Sequence, residues 1–424
     1  MKKLIIIQWV LLAFLLGSCE KDSFDYQMAK PGINEIDSVY FSAGSKMMIA
    51  DGQARLDFIV EAFRKVPFTK EDGVQVDSMV SIDVNTLPDG SVKIYKSSGE
   101  EVGMTFSTTD AQAGSVSFYA QVGTVKSAQK SVVLRQKPVL QEPLFVDVIF
   151  HVFELSSKDP SYDALSYQKV QYSMLQEAIQ NMNEVFNNKI GSGPNGASAN
   201  VTFRLAARKA DGTELAQAGW NLITYDAAVV PKKGTTWNPA DFARYMDGLD
   251  VNGNPTSTSK IWDPQKFLNI VVMPSGANNS MATEVPQWQL KVEGEEPLPG
   301  VANIITDRNE ATMNYANTCV GIPRTLLFPG YGKKVEFYSF VGLFYGMKKT
   351  TLEVDYCEDT QKYDGSGQFS SLKKVGRDGD KFLANNAMDD ERYPSLRNNF
   401  TLDQVNRMRK VMELCPGRDN GLTK

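Results

Sequence analysis

The apolar positions change their period along the chain. From about residue 35 to 138 the spacing reads as strands. Ala54, Leu56, Phe58, Val60 and Ala62 alternate onto one face. Asp51-Gly52 precedes them as a turn, and Pro88-Asp89-Gly90 marks another. Short apolar runs follow at Val92–Tyr95, Val116–Val122 and Ser131–Leu134. Regular strands with turn signals and no long amphipathic helix predict an all-β immunoglobulin-like sandwich over residues 35–138. Nothing catalytic stands out in it, so it reads as a spacer or adhesion module.

After a linker at Pro138–Pro143 the pattern changes. Phe145–Phe153 is rich in β-branched and aromatic residues and predicts a buried strand. Leu175, Ala178, Ile179, Met182 and Phe186 then form one helical stripe. Val201–Ala206 and Phe267–Met273 read as further strands, the latter entered through Trp262-Asp263-Pro264. Strand, helix, strand, strand and an irregular final third make an α/β pattern over residues 144–424.

The chain opens on Lys2 and Lys3, followed by the apolar run Leu4–Leu16, long enough for a signal-peptide core and too short to span a bilayer. Leu16-Gly17-Ser18-Cys19 looks like a bacterial lipobox. It implies that residues 1–18 are removed and that Cys19 is acylated and held to a membrane. Residues 19–34 then serve as a polar tether. Their acidic start resembles a surface-export signal, so the expected address is the outer membrane, with exposure at the cell surface.

Composition removes much of the ordinary enzyme chemistry. Among 424 residues there is one histidine, His151. No His-paired nucleophile beyond this single residue, no two-histidine iron triad and no three-histidine zinc site can be built within the chain. A net charge of −5 gives no electrostatic case for nucleic acid.

Four blocks in the final third nevertheless hold together in order and spacing. They are Val335-Glu336-Phe337-Tyr338-Ser339-Phe340-Val341-Gly342, Asp355-Tyr356-Cys357-Glu358-Asp359-Thr360, Asn385-Asn386-Ala387-Met388-Asp389, and Asn399-Phe400-Thr401-Leu402-Asp403-Gln404. Together with the Phe150-His151-Val152 strand, they resemble the pappalysin-like metzincins, most closely the zinc-dependent metalloproteinase lipoproteins of Bacteroidetes. The resemblance implies a metzincin-like domain of mixed α/β and α+β character behind the β module. Active members carry H-E-x-x-H-x-x-G-x-x-H. Two His on one helical turn bind zinc, Glu acts as base on the metal-bound water, and Gly leaves the helix with φ > 0 so that a third His returns to the metal. A methionine on a tight turn forms the floor.

Aligning that motif on Gly342 places Val335, Ser339 and Tyr345 at the three His positions. Glu336 falls at the base position and Met388 at the floor. Valine has no donor atom, serine offers a poor one, and a tyrosine phenolate is scarce below its ordinary pKa of ~10. Zinc, the family's cofactor, is therefore not expected, and the resemblance implies a catalytically inactive pseudoprotease that binds a protein, peptide or glycan. The alternative is an active metalloendopeptidase with a metal site rebuilt from Glu336, Glu353, Asp355, Cys357 or Asp359.

Asp355, Asp359 and Thr360 form a loop that either binds calcium through hard oxygens or is a self-contained hydrogen-bond network, the latter favoured. Cys319, Cys357 and Cys415 allow one disulfide, with Cys319–Cys357 a candidate. His151 reads as a packed core histidine.

Overall fold

The structure is a computed structural model. It describes residues 32–159, 162–164, 167–225, 239–256, 258–273, 286–328, 334–368, 371–389 and 397–420. Cys19, the signal segment 1–18 and most of the tether lie outside the described residues, as do the side chains of Val335 and Glu336. Among the described residues no helix is long and apolar enough to cross a membrane.

The first unit is built from β1 (Ser38–Ser42), β2 (Met47–Ala50), β3 (Leu56–Asp57), β4 (Ile59–Thr69), β5 (Gln75–Ile82), β6 (Val92–Lys96), β7 (Glu101–Val102), β8 (Thr105–Phe106), β9 (Ser115–Val122), β10 (Val125–Lys126) and β11 (Lys130–Gln136). One sheet runs β1-β4-β5 and another β2-β11-β9-β6-β7, with β3 paired to β8. The sheets share a core that includes Phe41, Phe58, Val60, Ile94, Phe118 and Val132. Leu56, Phe58, Val60 and Ala62 are all buried in this core, as their alternation predicts, whereas Ala54 is buried against the second unit. They do not lie on one strand. The chain breaks at Phe58, whose N–H donates to the Met104 carbonyl (3.1 Å), and β3 and β4 go to different sheets.

The second unit is a parallel sheet of β12 (Leu144–Leu155), β13 (Val201–Leu205), β14 (Trp220–Tyr225), β15 (Phe267–Met273) and β18 (Cys319–Pro323). Its order is β13-β12-β15-β18, with β14 further along the same edge of β12. Two short strands, β16 (Trp288–Leu290) and β17 (Asn303–Ile305), pair with each other outside this sheet. Helices cover both faces, which is why β12 and β15 read as nearly continuous apolar runs. Val146, Val148, Phe150 and Val152 face one layer. It contains α1 (Tyr172–Phe186), whose expected stripe Leu175, Ala178, Ile179, Met182 and Phe186 is buried there. Ile149 and Phe153 face the other layer, where Phe153 packs on Phe242 of α2 (Pro239–Met246), which in turn packs on Tyr315 of α3 (Tyr315–Thr318). Near the end come α4 (Lys334–Phe344), the hairpin β19 (Lys373–Val375) and β20 (Lys381–Leu383), and α5 (Leu402–Leu414).

The β unit is docked rather than strung on a linker. Ile49 and Ala54 belong to the main core of the second unit. The Ile49 N–H donates to Pro194 O (2.8 Å), and Arg135 reaches Asp359 (2.9 Å) and Asp403 (2.8 Å). Lys130 pairs with Asp380 (2.5 Å) and Ser42 Oγ donates to Lys381 O (2.6 Å). Even the connecting stretch is fastened: Gln141 Nε2 donates to Asn406 Oδ1 (3.0 Å), and Arg409 donates to Glu142 O (2.8 Å).

Candidate functional site

The α4 helix ends in a Schellman motif. Tyr345 N–H still donates to Val341 O (3.1 Å). Then Gly346 N–H donates to Leu343 O (2.9 Å) and Met347 N–H to Gly342 O (3.0 Å). This is the 5→2 and 6→1 pair that closes a helix on a left-handed residue. That residue is Gly346, at φ +80°. The turn expected at Gly342 is therefore made four residues later. Gly342 lies inside the helix, and its small size serves packing. A Cβ there would lie 2.9 Å from Met388 Sδ and 3.3 Å from Phe400 Cε1.

Met388 is thus beneath the helix, at Gly342. It is fully buried on the tight turn Asn386–Asp389, where Asp389 N–H donates to Asn386 O (3.0 Å) and Asn386 N–H returns to Asp389 Oδ2 (2.9 Å). Thr350 N–H donates to Met388 O (3.3 Å), tying this turn to the segment that leaves α4. Burial pushes the Asp389 carboxyl up to about 6, against the Thr350 hydroxyl and Asn386 amide that favour its charged form.

Of the three side chains proposed as vestigial ligands, that of Val335 lies outside the described residues. Ser339 is buried in the helix. Tyr345 is fully buried in a different place: its hydroxyl donates to Asn420 Oδ1 (2.9 Å), and Asn420 Nδ2 donates to Pro264 O (2.7 Å) and Phe267 O (3.0 Å). Burial drives its phenol far above the ordinary tyrosine range, so no phenolate is available there. Beside it the buried Arg418 guanidinium stacks 3.8 Å from the centre of the Phe344 ring, and desolvation brings it down to about 10. Tyr345 is a structural residue that, through Asn420, joins the helix to the start of β15.

His151 points away from α4. Side chains alternate across a strand, and Phe150 and Val152 take the α4 side. The imidazole sits on the other face, fully buried, with Nε2 2.9 Å from Asn269 Oδ1 and Nδ1 2.8 Å from Asn221 Nδ2. Asn269 Nδ2 donates to Trp262 O (2.9 Å) and its Oδ1 also accepts from Trp262 N–H (2.9 Å), which fixes the amide orientation. The imidazole therefore donates from Nε2 and accepts at Nδ1, as a neutral ring. Desolvation lowers its pKa to about 4.

The acidic loop is occupied by protein donors. Asp355 accepts from Cys357 N–H (3.1 Å), from the Thr360 hydroxyl and from Lys362 (3.1 Å). Asp359 Oδ2 accepts from Arg135 and from Asp403 N–H (3.1 Å), while its Oδ1 is buried without a hydrogen-bond partner. Its carboxyl is raised to about 6 by burial and the neighbouring Asp403 charge. Glu353 is exposed. Among the described residues no three of His, Cys, Asp and Glu are gathered as a metal-holding group. Cys319, Cys357 and Cys415 are all free and buried, so the Cys319–Cys357 pairing is not formed. Burial raises all three thiols, Cys415 to about 12.

Three features were absent from the sequence reading. Arg135 joins the two units. Arg397 donates to Asp389 O and accepts from the Tyr338 hydroxyl at its own carbonyl (2.6 Å), while its Nε and Nη2 find no partner. The third is Gly346, and its signal was present: two lysines, Lys348 and Lys349, follow it, as basic residues often follow a helix end.

No protein-family model matches the chain, and no curated protein matches it. Among solved structures, mature mirolysin of Tannerella forsythia with a cleaved peptide is similar at 16% identity over 67% of this chain and 97% of its own, with a TM-score of 0.45. A promirolysin mutant from the same organism gives 17% identity, 67% and 85% coverage and a TM-score of 0.42. Mirolysin bound to a small compound gives 17%, 63%, 91% and 0.41. At this identity and TM-score the likeness assigns neither residues nor activity.

Proposed function

We propose that this protein is a metzincin-like scaffold without a zinc site, a pseudoprotease that binds a protein, peptide or glycan instead of cleaving it. The observation that carries the reading is the position of the helix exit. In H-E-x-x-H-x-x-G-x-x-H the glycine is the residue that leaves the helix, and here that residue is Gly346 at φ +80°. Counting from it, the ligand positions become Ser339, Leu343 and Lys349, and the base position becomes Phe340. Counted from Gly342, which keeps Glu336 at the base position, the ligand positions are Val335, Ser339 and Tyr345, so neither count supplies a histidine.

The chemistry of this donor set does not fit zinc. Leucine has no lone pair to give, serine is a poor neutral ligand, and a lysine amine must lose its proton first. Phenylalanine cannot take a proton from water. Glu353 is exposed, the Asp355 carboxylate is engaged by Thr360 and Lys362, and among the described residues no three of His, Cys, Asp and Glu are gathered, which counts against a rebuilt centre.

In this reading the β unit is an immunoglobulin-like module, Cys19 carries the lipid anchor, and the protein sits on the outer membrane, facing outward. The test combines metal analysis of the purified protein with a peptide-cleavage assay. Tightly held stoichiometric zinc with chelator-sensitive cleavage overturns the proposal. The motif placement has its own test. Val335→His, Ser339→His and Tyr345→His, with Glu336 native, restore the motif counted from Gly342, and Ser339→His, Phe340→Glu, Leu343→His and Lys349→His restore it counted from Gly346; the set that gains zinc binding identifies the register.

A further inference from the structure

A polar pocket of about 50 Å³ lies where the two units meet. The β unit gives it Ser45 and Asp57, and the second unit gives it Asn195, Asp359 and Leu383 among others. A single water needs ~10–15 Å³, so the pocket takes a group of several heavy atoms. Two of the lining residues, Asn195 and Asp359, are 3% and 5% exposed, yet each carries an Oδ1 with no hydrogen-bond partner. The Asn195 amide is fixed in this orientation, because its Nδ2 donates to Ser45 Oγ and to Asp359 O (both 3.2 Å). The same bonds hold the two residues side by side. Asp359 Oδ2 is taken by Arg135 (2.9 Å) and Asp403 N–H (3.1 Å), which leaves Oδ1 for another donor.

The charge around the pocket is unbalanced. Arg135 serves both Asp359 (2.9 Å) and Asp403 (2.8 Å), so one guanidinium faces two carboxylates. The Asp359 carboxyl, raised to about 6 by burial, is ionised at neutral pH. Asp57 pairs with Arg55 (3.1 Å), and Asp389 accepts from Thr350 and from Asn386 N–H (2.9 Å). No lysine or arginine lines the pocket among the described residues. A water satisfies the two free oxygens but leaves the excess negative charge in place, whereas a cation with N–H donors answers both.

The acceptors select among cations. Only one Asp359 oxygen is free, so the parallel fork of a guanidinium meets half of its partner. Calcium takes about six to eight oxygens, carboxylates prominent among them. Among the described residues no three of His, Cys, Asp and Glu are gathered for a metal. An ammonium carries three donors that rotate to meet separate single acceptors. Phe382 and Leu383 supply an apolar wall for the methylene stem of a lysine. We propose that this pocket binds a primary ammonium, the end of a lysine side chain presented by a protein or peptide. The assignment rests on the binding role proposed above only in giving the ammonium to a protein or peptide, since no residue of α4 lines the pocket.

The test is calorimetric titration of the purified full chain with the pentapeptide Gly-Gly-Lys-Gly-Gly, blocked at both ends, against versions carrying arginine or acetyl-lysine at the centre. The lysine peptide is expected to bind at least about tenfold more tightly than either, the size of one charge-assisted contact. Asp359→Asn is expected to weaken it by a similar factor. That change also touches the Arg135 bridge, so a second pair of variants is needed. Gln361→Lys sets an ammonium in the pocket wall and is expected to abolish binding, while Gln361→Met keeps it. Equal binding of the three peptides, binding of none, or an unchanged affinity in Asp359→Asn and Gln361→Lys overturns the proposal. So does calcium that binds the chain and excludes the lysine peptide. n-Butylammonium that binds as tightly as the peptide makes the occupant a free amine and overturns its assignment to a protein. Zinc content and cleavage, which test the pseudoprotease reading, do not enter these readouts.

Discussion

The lone imidazole makes the acid response of this protein unusually direct to measure. His151 is buried as a neutral ring between Asn221 and Asn269, with a pKa of about 4 against the ordinary 6.5. In the unfolded chain it titrates normally. Because the folded pKa is the lower one, the stabilisation is complete above pH 6.5 and is lost as the pH falls toward 4. A shift of this size corresponds to about 3 kcal/mol across that window. Asp359 and Asp389 act in the opposite sense, since each is raised to about 6 in the fold and destabilises it as pH rises through that value. They are separated from the histidine by comparison with His151→Gln, whose amide can keep one donor and one acceptor but does not titrate. Urea unfolding of both proteins at pH 7.5 and 4.5 is expected to show the advantage of the native residue shrinking by about 2–3 kcal/mol at the lower pH. The carboxylate contributions cancel in the difference. Proton NMR of the single imidazole reports the same quantity. A ring that titrates near 6.5, or an advantage that does not change with pH, refutes the reasoning.

Gly346→Ala is expected to destabilise the fold by about 1–2 kcal/mol, because it forces a Cβ into the left-handed region and toward Val411 Cγ2 at 2.9 Å. Thermal melting measures this loss. Arg135→Met leaves Asp359 buried without its partner and is expected to cost about 3 kcal/mol at pH 8 and clearly less at pH 5, where the carboxyl is protonated. Denaturant titrations at the two pH values, with limited proteolysis of the 137–143 stretch, check it. Cys319, Cys357 and Cys415 are expected to resist an aromatic disulfide reagent in the native protein and all to react in urea, whereas fast native labelling of any of them contradicts their burial.

Much of the fold was legible because burial imposes periodicity. The α1 stripe could be read residue by residue, since only one helical face meets the sheet. Residues 54–62 showed the inward face but hid the break at Phe58. Alternation records which side is buried and not which sheet a strand joins. β5 was missed because Gln75–Ser81 is largely exposed and carries no burial pattern. The helix exit was placed one turn early for a local reason: Gly342 and Gly346 are four residues apart, and only the backbone distinguishes a packing glycine from one that ends a helix. The Arg135 bridge joins residues 224 positions apart, which no local pattern reports.

The tail beyond α5 gives the order of synthesis a physical meaning. Asn420 closes onto Tyr345 and onto the carbonyls before β15, and Arg418 covers the Phe344 ring. A chain growing from its N-terminus at ~5–20 residues per second has exposed every strand of the parallel sheet long before these groups exist. Until then Tyr345 has a hydroxyl without an acceptor and the aromatic end of α4 faces water. The core is completed only by Arg418 and Asn420, so the nascent protein stays open and dependent on protection from aggregation until these residues have been made.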